Sequence, residues 1–277
     1  MSEPAVIAPR GGEVIGDAPE RRVEILTEQD AMHATWSRFA AGRDGADRHI
    51  HRRHHDVFYV LAGELTLKLE DDAEGAAPAG KLVRVPPLVV HGFRNAGDAE
   101  LRYLNFHAPG TGFADYMRGL RDGRRTSFDQ EDPPSDGVCP ASDAVVGGEE
   151  VVLDRPDVRV ALLADIDEVG ISETRADPGG APVRPHVHRR HAESFFVFAG
   201  EVRVRLGDRE VTVGPGAWVT IPPGVPHGLA LAGSAPVRFL NLHAPRCGFG
   251  AFIRALAETG GDAEEAAART PFDEEDV

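Results

Sequence analysis

Two stretches of alternating apolar and polar residues, GELTLKLE from Gly63 and GEVRVRLGD from Gly200, set the first expectation. Period-two alternation puts Leu65, Leu67 and Leu69 on one face of a strand. Val202, Val204 and Leu206 share the matching face of another. KLVRVPP and AWVTIPP are short β-rich runs, each stopped by paired prolines. LRYLNFHAP and VRFLNLHAP read as closing strands. In FADYMRGLRD and FGAFIRALAE the apolar residues recur at helical spacing, predicting helices near Ala114–Arg121 and Gly250–Glu258. DAEEAAAR adds a further short helical turn. The pattern predicts an all-β protein of two β-barrels, each with a short C-terminal helix.

The barrels are copies. His49 and His186 are 137 residues apart, and His91 and His227 are 136 apart. YLNFHAPGTGF from Tyr103 matches FLNLHAPRCGF from Phe239, and RTSFDQED from Arg125 matches RTPFDEED from Arg269. A near-constant offset over this length means a duplicated domain, and the period is too long for a solenoid. We place an N-terminal domain at 1–135, a polar linker rich in Pro and Gly at 136–149, and a C-terminal domain at 150–277.

Composition narrows the function. At 277 residues and 42% hydrophobic, the chain can build a sizeable core. No apolar run reaches the roughly 20 residues of a membrane span, and the N-terminus has no signal-peptide pattern. Cys139 and Cys247 sit in no zinc or disulfide spacing, so a reducing cytoplasm is expected. The net charge of −15 excludes nucleic acid and anionic membrane as main partners. The acidic runs DQEDPPSD, DAEE and DEEDV read as solvated surface. Scarce lysine beside abundant Arg, Ala and Gly points to a GC-rich bacterial genome.

The chemistry lies in RHIHRRHHDVFYVLAG and its copy PHVHRRHAESFFVFAG. His49 and His51 share a strand face, as do His186 and His188. A turn follows, and the chain returns with Asp56 or Glu193 beside the pair. His91 and His227 follow a proline-rich turn farther on. Three imidazoles and a carboxylate converging in each barrel suit a divalent transition metal (Fe, Mn, Ni, Co, Cu or Zn), with one ion per barrel. Open coordination positions would remain for a small-molecule substrate.

These residues resemble the cupin motifs G-x5-H-x-H-x3,4-E-x6-G and G-x5-P-x-G-x2-H-x3-N. The second half supplies Gly180, His186, His188, Glu193 and Gly200, then Gly216, Pro222, Gly224 and His227, with Leu231 in place of the last Asn. The first half supplies His49, His51, Gly63, Gly80, Pro86, His91 and Asn95, with Asp56 replacing Glu and Leu88 replacing Gly. The resemblance implies a bicupin of two jelly-roll barrels. Its departures imply a first site in which shorter Asp56 sits differently or stays off the metal, and a roomier turn at Leu88.

His54 and His191 read as exposed turn residues. His107 and His243 read as corner-fixing residues that alternatively line the barrel mouth. Phe58, Val60, Phe195 and Val197 have the parity to face inward, as an apolar substrate wall or as plain core. Glu193 is the expected catalytic carboxylate, bound to metal or swinging to take a substrate proton. Three functions compete: a dioxygenase resembling the quercetinases, acting on an aromatic or enol substrate; a non-redox isomerase, epimerase or decarboxylase; and a binding or sensory cupin. Monomer and homodimer both fit.

Overall fold

The structure, a computed structural model, describes residues 3–70, 73–135, 145–180 and 182–277. Positions 136–144 of the expected linker, with Cys139, lie outside the described residues. Contacts divide the chain into two units: Gly12–Gly148, and Glu149–Val277 with Met1–Gly11.

The first unit is a barrel of two antiparallel sheets. The larger runs in the order Val145–Val146, Leu82–Val85, His55–Ala62, Leu101–Ala108, Met32–Phe39, Arg21–Gln29 and Glu13–Ala18. The smaller is Glu74–Pro78, Glu64–Lys68 and Gly92–Arg94. Leu65 and Leu67 from the small sheet meet Val23, Phe58, Val60 and Tyr103 from the large one in a single core. The second unit repeats the plan. Its larger sheet runs Ala5–Ile7, Trp218–Ile221, Ala192–Ala199, Val237–Ala244, Val169–Ala176, Val158–Ile166 and Glu150–Arg155. Its smaller sheet is Arg209–Val213, Glu201–Leu206, His227–Ala232, Val183–Val187 and Glu275–Asp276. Strand Ala5–Ile7 pairs with Trp218–Ile221, so the chain's first strand belongs to the second barrel.

The helices lie where the periodicity puts them, at Phe113–Asp122 and Phe249–Glu258. A third, Ala263–Ala268, is capped by Asp262, whose carboxylate accepts from Glu265 N. Gly63 and Gly200 are fixed by sterics. Their φ values are 73° and 71°, and a Cβ at either would stand 2.5 Å from the carbonyl of Glu100 or Pro236. The turn at Leu88 is not roomier. Leu88 takes φ 66° where Gly224 takes 82°, and both backbone N–H groups donate over 2.7 Å to the carbonyl of a cluster histidine, His51 or His188. The hydrogen bond holds a branched residue in a conformation that favours Gly.

The first helix has an unusual cap. Its N-cap, Gly112, has no side chain to offer, and Ala114 N–H donates over 3.0 Å to His33 Nδ1 instead. The equivalent position in the second barrel is Gly170, where a Cβ would stand 2.9 Å from the Phe249 ring. Burial pushes the His33 imidazole below its usual range. Burial likewise carries His49 and His191 to about 3, and His54 and His186 to about 4. Unfolded, these groups take up protons near pH 6.5; folded, only at lower pH. Their contribution to stability is therefore complete above about pH 6.5 and is lost as pH falls below it. The urea midpoint of metal-free protein should drop between pH 7 and pH 5. His33→Ala should cost about 1 kcal/mol at neutral pH, as for a lost helix cap. A midpoint that rises on acidification contradicts this.

Candidate metal centres

In each barrel four buried ligand atoms gather from separate strands. His49, His51, Asp56 and His91 form one group, and His186, His188, Glu193 and His227 the other, with all ligand atoms of a group within 4.8 Å of one another. Pairing builds the groups. His49 bridges to His91, and His186 pairs with His227. Asp56 and Glu193 sit opposite His107 and His243 in the strand register.

Every one of the six imidazoles donates its Nδ1–H to a backbone carbonyl. His49 uses Asp47 at 2.6 Å, His51 uses Asp129 at 2.5 Å and His91 uses Val89 at 2.9 Å. His186 uses Arg184 at 2.9 Å, His188 uses Asp273 at 2.5 Å and His227 uses Val225 at 2.8 Å. A carbonyl only accepts, so each ring carries its proton on Nδ1 and aims the Nε2 lone pair inward. His49 and His51 bring two such lone pairs to 3.2 Å. That is about the separation of two nitrogens bound 2.1 Å from one shared ion. His188 Nε2 is buried without a hydrogen-bond partner, although Glu193 Oε2 lies 3.3 Å away. Orphaned, converging lone pairs beside a carboxylate are what a divalent cation satisfies, and the donor set fits one in both barrels.

The shorter Asp56 still reaches its group. Its Oδ2 lies 3.3 Å from His91 Nε2, against 2.6 Å between Glu193 Oε2 and His227 Nε2. Burial pushes both carboxyls up, but His107 or His243 and the facing cluster histidines outweigh it. Both are held well below the usual carboxylate range. Asp56 and Glu193 are therefore anionic.

Residues 35–107 and 173–243, more than half the chain, both match the cupin domain. The chain belongs to the cupin family. No curated protein sequence matches it. The same two-barrel cupin fold occurs in an oxalate decarboxylase variant from B. subtilis. That likeness is at 13% identity, covers 88% of this chain and 78% of that one, and has a TM-score of 0.61. AerE from Microcystis aeruginosa is 16% identical over 86% of this chain and 98% of its own, with a TM-score of 0.59. A putative glyoxylate-induced protein from Pseudomonas aeruginosa is 17% identical over 87% and 89%, also with a TM-score of 0.59.

Behind each cupin carboxylate runs a buried chain of polar groups. Asn105 Nδ2 donates to Asp56 Oδ1 over 2.5 Å, so its Oδ1 must accept from His107 Nε2–H at 3.0 Å. His107 Nδ1 then accepts from His54 Nε2–H at 2.9 Å, and His54 Nδ1 meets Asp129 Oδ2 at 2.9 Å. The second barrel repeats this link for link. Asn241 donates to Glu193 Oε1 at 2.7 Å, His243 stands 2.8 Å from Asn241 Oδ1, His191 2.9 Å from His243, and Asp273 3.2 Å from His191. His54 and His191 are thus not exposed turn residues: they are 0% and 1% exposed. Only Arg52 and Arg53, or Arg189 and Arg190, turn outward. Asp129 and Asp273 leave the expected solvated runs and are buried, accepting backbone N–H from Arg53 at 2.7 Å and Arg190 at 2.5 Å. His107 and His243 also stack on Phe113 and Phe249, which begin the helices, so one residue fixes both the corner and the chain.

A cavity of about 440 Å³ opens beside the first cluster, bordered by His49, His51 and Asp56. Phe58 and Val60 do not line it; both are fully buried in the core. The wall is mixed: Arg21, Thr35, Ser37, Tyr103 and Asn105 stand beside Phe93, Phe113, Tyr116, Met117 and Phe128. The strand parity at Phe58 is right, but packing against the small sheet takes those side chains away from the cavity. Among the described residues no helix is long and apolar enough to cross a membrane.

Proposed function

We propose that this cupin is a metal-dependent enzyme acting on a small oxygen-bearing substrate without net oxidation, in the decarboxylase or isomerase class. The observation that carries this reading is the cavity against His49, His51 and Asp56. Its volume falls toward the small end of ligand sites, and its hydroxyl, amide and guanidinium groups suit a small oxygen-bearing substrate. The relatives named oxalate decarboxylase indicate that the fold hosts decarboxylation. A bound divalent ion supplies Lewis-acid polarisation of a substrate oxygen.

The chain's own residues do the rest. The histidines hold the ion with fixed tautomers. Asp56 and Glu193 serve as ligands rather than as swinging bases, because both oxygens of each are engaged: one accepts from Asn105 or Asn241, and the other faces the imidazoles. Thr35, Ser37 and Tyr103 offer hydroxyls that orient a polar substrate and replace its water. The test is turnover of metal-loaded protein on a panel of 2-oxo acids, 1,3-dicarbonyls and enols, with product and dissolved oxygen followed together. We expect CO2 release or isomerised product with far less than stoichiometric O2 uptake. Oxygen consumed mole for mole with product would instead establish the dioxygenase.

A further inference from the structure

Two arginines border the first cavity, Arg21 and Arg48, and Arg21 has no anion of its own. Arg21 is half-buried, and no carboxylate among the described residues lies within ion-pair distance of it, in a chain with 45 acidic and 30 basic residues. Its neighbour Arg22 takes both Asp17 and Glu24. The Arg21 guanidinium instead lies 5.3 Å from the centre of the Phe39 ring. The ring shields one face and leaves the N–H edges for another partner. Tyr103 lines the same cavity and is 3% exposed. Its hydroxyl is hydrogen-bonded to Ser37, and burial pushes its pKa far above neutral, so it remains an O–H donor.

The second barrel lacks both groups. The register aligns Arg21, Phe39, Ser37 and Tyr103 with Val158, Ala176, Thr174 and Phe239. The cluster residues are duplicated, but Arg21 and the phenol are not.

We propose that Arg21 and Tyr103 form a carboxylate subsite in the first barrel, so that this barrel takes an organic acid and the second does not. This rests on the metal-enzyme reading above and names its substrate class. A carboxylate matches the planar guanidinium edge with two parallel bonds, and a phenol O–H fits one remaining lone pair. Spacing limits the acid further. Tyr103 stands two residues, about 7 Å of extended strand, from Asn105, whose amide meets the Asp56 carboxylate. An acid bridging the subsite and the inward-facing Nε2 atoms therefore carries a spacer between its carboxylate and its metal-directed oxygen. A two-carbon diacid is too short.

The probes are oxalate, succinate and adipate, titrated calorimetrically into metal-loaded protein whose metal content is measured on the same samples. We expect adipate to bind more tightly than oxalate. Arg21→Gln should weaken adipate binding about 10- to 100-fold, the worth of a charge-assisted pair, and Tyr103→Phe about three- to tenfold. Arg21→Lys should recover part of the loss. Equal affinity in wild type and Arg21→Gln, or oxalate as the tightest ligand, overturns the subsite. Wild-type protein that holds metal in the first barrel yet binds none of the acids also overturns it and leaves the metal-enzyme reading standing. Protein that takes up no metal overturns both.

Discussion

His227→Ala will empty the second barrel of metal and leave it folded. His227 contributes one of four donors, and its Nε2 stands 2.6 Å from Glu193 Oε2. Three remaining donors bind a first-row ion far more weakly. The core does not depend on the imidazole. Phe195, Val197, Val202, Val204 and Val219 pack against one another below the site. The expected metal content is one ion per chain in place of two, with an unchanged far-ultraviolet spectrum. His49→Ala should do the same to the first barrel. Two ions per chain in either variant would refute the assignment of ligands.

Asp273→Asn will weaken metal binding in the second barrel about 10- to 100-fold without touching a ligand. The backbone carbonyl of Asp273 still receives His188 Nδ1–H. The carboxylate is what changes. It accepts Arg190 N–H at 2.5 Å and lies 3.2 Å from His191 Nδ1, and His191 stands behind His243, Asn241 and finally Glu193. An amide in its place turns its N–H2 toward the Arg190 N–H or the Arg190 guanidinium, which displaces the turn carrying His191 and with it the backing of Glu193. Glu193 is then free to rotate. Competition with a calibrated chelator reads the affinity, and the first barrel of the same protein is the internal control. Asp129→Asn should show the mirror result. An affinity unchanged in the altered barrel, with the stability lowered, would mean that the chain merely supports the fold.

The two buried clusters were legible in the sequence because the duplication wrote them twice. His49, His51 and His91 recur at an almost constant offset, and strand parity places each beside its carboxylate. The chain behind them was not legible. His54 contacts Asp129 across 75 residues, and nothing local in RRHH distinguishes an inward histidine from an exposed one. The trace that existed was the repeated Phe-Asp of RTSFDQED and RTPFDEED, which reads as acidic surface until its two aspartates are seen to be buried. The cavity wall failed for another reason. Parity fixes which face Phe58 and Val60 occupy but not how far along the barrel the cavity extends. Arg21 and Tyr103 come from strands whose alignment only the register reveals. At Leu88 the expectation of a changed turn underrated the hydrogen bond to His51, which holds the turn with or without glycine.

The central claim is that each barrel holds one metal ion on three histidine Nε2 atoms and one carboxylate. Anomalous diffraction at the absorption edge of the metal found in purified protein tests it most directly. Two peaks per chain are expected, one about 2.1 Å from the Nε2 atoms of His49, His51 and His91 and one equally placed among His186, His188 and His227. Peaks elsewhere, or none at these histidines in protein shown to carry metal, would contradict it.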